Sequence, residues 1–316
     1  MAASIDSQQW SARPLNTKSL SKWLLILALP IIVAVFYVSA SAHFGYTPDD
    51  TYIYLQFARN LIGGNGISFN PGIPTYGFTS PLWLFIISLG GAMGIDVYMT
   101  AKVIDLVFAS LALIVFYLLA HEMIRDVAVA LCATIAFSVN AWFLRWTGTG
   151  METSLSVLLV LAVMLFCFRN EYFIAIVMAA LLFLVRPETA LIVPVILVDV
   201  YTNSLNKKRA INMAGALTLI YLVLIVPWLV YAYMKFGAIL PNTAFAKAGF
   251  RPGISELSAT GFDILKTVGA VDGVAVLVLL ACGVALIAKK KRIGTNGQSD
   301  LERFFLLRQG LLGAGW

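Results

Sequence analysis

Charged residues are scarce in this sequence: Asp, Glu, Lys and Arg make up 12% of its 316 residues, about half the share usual in a water-soluble domain. A soluble globular protein of ordinary composition is therefore excluded. Cysteine is also scarce. Cys132, Cys167 and Cys282 stand alone within apolar segments, which rules out a disulfide framework and a CxxC metal site and leaves them as small packing residues. The two histidines, His43 and His121, lie at the ends of different hydrophobic segments and form no imidazole cluster for a metal. There is no internal repeat, and no low-complexity segment beyond a polar N-terminus. The net charge of +6 does not form a basic stripe with interleaved aromatics. Its lysines and arginines fall in short clusters between apolar runs, as loop anchors do, so nucleic acid is excluded as a partner.

What is present is apolar: 60% of the residues are hydrophobic and the mean hydropathy is +0.88. The composition is that of an integral membrane protein, all-α and polytopic. The first apolar run, Trp23 to Ala42, follows Arg13, Lys18 and Lys22. It closes on Ala40-Ser41-Ala42, which has the look of a signal-peptidase site, but its length suits a span of about 20 residues better than a secretory core of about 7 to 15. An uncleaved anchor is expected, and either alternative places residues 43 onward outside the cytoplasm.

Further apolar segments run at about 81–94, 103–120, 127–143, 154–168, 172–185, 189–201, 211–236 and 268–288. As a helix, 81–94 reaches only about 21 Å, short of the roughly 30 Å hydrocarbon layer, and it contains Gly90, Gly91 and Gly94. It is expected to lie on the membrane or dip into it. That choice delivers Arg125, Arg169, Lys207-Lys208-Arg209 and Lys289-Lys290-Lys291-Arg292 to the cytoplasm, as the positive-inside rule prefers. About eight spans result. The pair 172–185 and 189–201, spanning or re-entrant, leaves the sides of later loops unchanged, and its shortness suggests a cavity cut into the membrane. The expected divisions are a cytoplasmic tail (1–22), a transmembrane domain (23–288) with an external loop at 43–102, and a cytoplasmic tail (289–316).

This topology gathers the unusual polar groups on the outer face: Asp49 and Asp50, "FTSPLW" (78–83), "LRWTGTGMET" (144–153), "RPET" (186–189) and "PNTAFAK" (241–247). Within "TPDDTYIYLQFARNLIGG", Thr47 is expected to cap a helix, Pro48 to open it, Asp50 to complete a capping box and Gly63-Gly64 to stop it. Asp49, Gln56, Arg59, Asn60 and Gly63 form its polar face, with Tyr52, Ile53, Leu55, Ala58 and Ile62 toward lipid or protein. First-turn acids are favoured by the helix dipole alone. A proton acceptor at that position needs a water-poor pocket or a nearby cation to keep its basicity.

The stretch "PDDTYIYLQFARNLIGGNGISFNPGIPTYGFTSPLW", followed by "TGMET", "RPE" and "PNTAFAK" in that order, resembles the GT-C glycosyltransferases, multispanning enzymes that use polyprenyl-phosphate sugars. It is most similar to the subgroup of mycobacterial terminal arabinofuranosyltransferases, and the resemblance covers roughly residues 20–250. It implies a GT-C-like helical bundle whose external first loop carries juxtamembrane helices, 81–94 among them, and presents an acid to the donor. By that match Asp49 is the catalytic acid, with Asp50 second. A sugar would move, with inversion, from the lipid-linked donor to an extracytoplasmic glycan, lipid or protein acceptor, at the plasma membrane. Members of the family usually continue into further spans and an external domain, whereas this chain reads "LLRQGLLGAGW" soon after its eighth expected span. A fragment, a shortened homologue and a disrupted end are the alternatives.

In this reading the departing phosphate needs positive partners. Arg145, Arg186 and Lys247 are on the correct face, each with the alternative of a plain interfacial position or, for the arginines, a pairing with Glu152 or Glu188. Those two glutamates orient the arginines or bind acceptor hydroxyls, with Thr79 and Asn242 as further substrate contacts. Asp49 and Asp50 are also the place for a divalent cation, the one cofactor left open. Asp105 lies inside a span near its outer end, within expected reach of interfacial water. Trp83, Trp142 and Trp146 are expected in the aromatic belt, with sugar stacking as the alternative. The rival readings are a transporter, which intramembrane charges and inverted repeats would favour, and a noncatalytic membrane partner.

Overall fold

A computed structural model describes residues 17–239 and Pro241. The chain divides into two units after Gly249, and every described residue belongs to the first. Among the described residues the structure is helical, and its only β pairing is an isolated bridge between Ser68 and Pro74. Asn242, Lys247 and the expected span 268–288 lie outside the described residues.

The helices are α1 (Thr17–Ser41), α2 (Asp49–Ile62), α3 (Pro81–Ala92), α4 (Val97–Ile124), α5 (Val127–Ser138), α6 (Ala141–Trp146), α7 (Thr153–Phe168), α8 (Tyr172–Val185), α9 (Ile192–Asn203) and α10 (Lys207–Phe236). Their starts follow from local chemistry. A short polar side chain accepts the otherwise orphaned first-turn N–H: Ser80 Oγ from Trp83 N at 3.3 Å, Asp96 from Met99 N at 2.9 Å, Asp126 from Val129 N at 2.9 Å, Asn140 from Phe143 N at 3.0 Å and Asn206 from Arg209 N at 3.1 Å. Pro81 opens α3, where its missing N–H costs nothing. The cap at Asn140 divides the expected segment 127–143 into α5 and α6. A 3₁₀ turn, Pro187–Leu191, precedes α9 within the expected segment 189–201.

Among the described residues two helices, α4 and α10, are long and apolar enough to cross a membrane. Only 39% and 17% of their most apolar windows are buried within the chain, whereas the core helix of a soluble bundle is mostly covered. Val103, Val107 and Leu111 of α4, and Leu219, Val223, Val226 and Val230 of α10, stand exposed. At about 25 cal/mol per Å² of apolar surface, such faces are costly to leave in water. The shorter apolar helices include α3, α5, α7 and α8.

α4 is the axis of the packing, lying against α3, α5 and α7, while α8 lies between α7 and α10. One core joins Tyr54, Phe57, Phe78, Trp83, Leu84 and Ile87 to Leu155, Leu159 and Leu182, and so fastens α2 and α3 to the ends of α7 and α8. A second core holds α8, α9 and α10 together through Ile176, Val193, Ile196, Leu217 and Tyr221. α10 contains Pro227. The next residue, Trp228, donates its indole N–H to the Tyr76 hydroxyl at 3.2 Å, which ties the loop before α3 to α10.

Candidate functional site

Asp49 and Asp50 open α2 and both are exposed. The cap differs from expectation. Pro48, with ψ 154°, is the N-cap, and no side chain caps the helix. Thr47 turns away instead and shares a hydrogen bond with the Tyr98 hydroxyl at 3.1 Å, so the two aspartates complement the helix dipole only through charge. The polar face is also rearranged. Asn60 is buried and donates to the carbonyls of Ser68 and Phe69 at 2.9 and 2.8 Å, holding the following loop back against the helix. Tyr52 and Ile62, expected to face lipid or protein, are exposed.

Beneath the aspartates on the same helix is Tyr54, buried among apolar side chains. Its hydroxyl accepts from Ser80 N at 3.1 Å and pairs with Thr79 Oγ1 at 3.2 Å. Burial pushes the phenol well above its ordinary value, and the negative charge of Glu152 adds to the shift. The tyrosine therefore stays a neutral hydrogen-bonding post linking α2 to the "FTSPLW" segment.

The segment "TGTGMET" supplies the floor. Thr147, Thr149, Met151 and Glu152 are all buried, an unusual place for a loop whose backbone polar groups must be satisfied. Side chains from three helices meet that demand. Thr51 Oγ1 donates to Thr149 O at 3.2 Å, Trp83 Nε1 donates to Gly150 O at 3.2 Å, and Asp105 Oδ2 accepts from Gly150 N at 3.1 Å and Thr149 Oγ1 at 3.3 Å. Gly150 has φ +82°, and a Cβ there would sit 3.0 Å from Thr51 Cγ2, so the position requires glycine both for its conformation and for space. These contacts correct two expectations. Asp105 is fully buried and reaches the loop rather than interfacial water, and Trp83 is a buried strut rather than a member of an aromatic belt.

The clamped loop delivers Glu152 to the first position before α7. Its carboxylate pairs with Arg186 Nη2 at 3.0 Å, while Arg186 Nη1 reaches Glu188 at 3.4 Å. The three side chains are 3%, 38% and 65% exposed in the order Glu152, Arg186, Glu188. Burial raises the pKa of Glu152; Arg186 opposes the shift, and the charges of Asp50 and Glu188 reinforce it. The charge of Asp50 at the start of α2 is thus among those that act on Glu152.

Of the residues singled out from the sequence, Asp50, Glu152, Arg186 and Glu188 form one electrostatic group, and Thr79 joins it through Tyr54. Asp49 sits one residue before Asp50 on the exposed helix start. Arg145 pairs with neither glutamate. It stacks over Tyr46 and Trp142, 5.9 Å from each ring centroid. Trp142 and Trp146, with Phe137, Phe143 and Val157, line a shallow apolar groove of about 270 Å³. Among the described residues no three His, Cys, Asp or Glu side chains come together as a metal-holding group. Lys102 was not singled out from the sequence. It is buried, donates to the carbonyls of Phe44 and Tyr46, and lies over the rings of Phe44 and Tyr98. An ionisable residue at the edge of an apolar run is the signal that would have pointed to it. Set against protein-family models, curated proteins and solved structures, the chain matches none of them.

Proposed function

We propose that this chain is a polytopic membrane glycosyltransferase of about eight spans that acts on the extracytoplasmic side of the plasma membrane. It moves a sugar, with inversion, from a polyprenyl-phosphate donor to a glycan, lipid or protein acceptor. The reading rests on one observation: Arg186 is anchored by the buried Glu152, a glutamate on which the charge of Asp50 at the start of α2 also acts, and these segments are flanked by apolar helices. Such a transfer needs a proton acceptor for the incoming hydroxyl and a cation for the phosphate that departs.

Asp49 takes the proton of the acceptor hydroxyl as its oxygen attacks the anomeric carbon, with Asp50 beside it. The bond to the phosphate oxygen breaks, and the growing negative charge falls to Arg186. Arg145 and Lys247 are further phosphate contacts in this proposal, and Thr79, Glu188 and Asn242 contact substrate hydroxyls. Glu152 fixes Arg186 from below, since removing one partner of a buried ion pair strands the other.

The test is transfer by purified protein in liposomes, with a labelled polyprenyl-phosphate sugar and an acceptor. Asp49→Asn should lower turnover by about 10²-fold or more while the protein remains folded. Full activity in that variant sinks the assignment, and solute flux without sugar transfer favours a transporter.

A further inference from the structure

We infer that Glu188 is a displaceable counter-ion: it occupies the phosphate-binding edge of Arg186 until an anionic ligand takes its place, while Glu152 stays as the fixed anchor. The inference rests on the transferase reading for the identity of the ligand, a prenyl phosphate. Its geometry stands independently.

The two glutamates that meet Arg186 are not equivalent. Glu152 is closed in, with one oxygen on Nη2 at 3.0 Å and the other buried without a hydrogen-bond partner. Removing that carboxylate from the guanidinium would leave a buried charge unpaired, which is strongly unfavourable. Glu188 reaches Nη1 at 3.4 Å, at the long limit of a hydrogen bond, and two thirds of its side chain faces the exterior. Its departure leaves the carboxylate fully hydrated.

Local backbone also favours the exchange. Arg186 ends α8 in an extended conformation, with φ −145° and ψ 101°, and Pro187 starts the 3₁₀ turn that carries Glu188. The turn is held by main-chain and hydroxyl bonds to the Arg186 carbonyl, from Thr189 N at 3.0 Å and Thr189 Oγ1 at 2.5 Å. Neither bond involves the Glu188 side chain. Glu188 therefore swings out by side-chain rotation alone, and Arg186 keeps its position throughout. A guanidinium held on one side and lightly covered on the other is prepared to receive phosphate at the covered edge. The same carboxylate repels weakly bound anions, so only a ligand that outcompetes it is admitted.

The predicted effect is small and has a definite sign. An exposed ion pair of this kind contributes at most about 1 kcal/mol, so neutralising Glu188 should tighten anion binding by about two- to fivefold. The experiment measures the affinity of the full chain in nanodiscs for geranyl phosphate, with geraniol as the uncharged comparison. Glu188→Gln should bind the phosphate about two- to fivefold tighter, with geraniol unaffected, and Arg186→Gln should lose the preference for phosphate. Glu171→Gln removes the same charge at the far end of α8 and should change nothing. Unchanged or weaker binding in Glu188→Gln overturns the inference, as does equal tightening in Glu171→Gln, which would mark a general charge effect. Sugar transfer is measured on the same preparations. Transfer without tightening removes the counter-ion role and keeps the enzyme. Tightening without transfer removes the enzyme and keeps the counter-ion role, and a wild-type chain that neither binds nor transfers refutes both.

Discussion

Replacing Gly150 with alanine should be among the most damaging single-methyl additions in the described region, and two separable costs make the magnitude predictable. The residue has φ +82°, and a non-glycine residue in that left-handed region costs about 1–2 kcal/mol. The new methyl would also lie 3.0 Å from Thr51 Cγ2, 3.4 Å from Ala101 Cβ and 3.7 Å from Lys102 Cγ. Forcing a methyl into a packed interior costs roughly 1–3 kcal/mol more. Gly64 is the internal comparison: its φ is +78°, and nothing lies within 4 Å of an added Cβ. Gly64→Ala therefore carries the conformational cost alone. Any entropy that alanine removes from the unfolded chain is common to both variants and cancels in the difference. Unfolding by SDS in mixed micelles, followed by tryptophan fluorescence, should show Gly150→Ala less stable than Gly64→Ala by about 1–3 kcal/mol. Equal destabilisation of the two would refute the argument that "TGTGMET" is clamped between α2 and α4.

Trp83→Phe leaves the Gly150 carbonyl without its buried donor, and the same titration should report a loss of about 1–3 kcal/mol. Glu152→Gln should change how stability depends on pH. Because burial raises the glutamate's pKa in the native state above its ordinary 4.5, the folded chain keeps a proton that the unfolded chain releases. The stabilising contribution is thus complete below about 4.5 and is lost as pH rises through the native value. Thermal midpoints from about pH 4 to pH 8 should show wild type losing ground to Glu152→Gln as pH increases, and a pH-independent gap between them would contradict the burial argument.

Much of the site's local structure was legible in the sequence. "GG" marked the end of α2, because stopping a helix depends on a few adjacent residues. The pairing of Arg186 with Glu152 and Glu188 was among the alternatives, since three charges in a chain this apolar have few other partners. What spacing does not reveal is which third element covers a given face. Thr47 was a good cap by type, yet Tyr98 from α4 claims its hydroxyl. Trp83 has the composition of a belt residue, but α2 and the buried loop close over it. Asp105 and Lys102 sit three residues apart on α4, and the loops they hold come from more than 40 residues away along the chain. The eight expected crossings likewise depend on how short helices are placed, and among the described residues two helices meet the requirements of length and apolarity together.

The bond between Trp228 and Tyr76 joins α10 directly to the loop that leads into Thr79. Pro227 lacks the N–H that would hold the turn before it, so the helix has one fewer rung there and yields most readily at that level. The adjacent indole grips Tyr76, whose ring stacks on Phe236 and packs edge-on against Phe78, just ahead of Thr79. Through these contacts the proline-bearing stretch of α10 is packed onto the segment that carries the Thr79–Tyr54 link, so a change in the course of α10 at that level would be felt first at Tyr76.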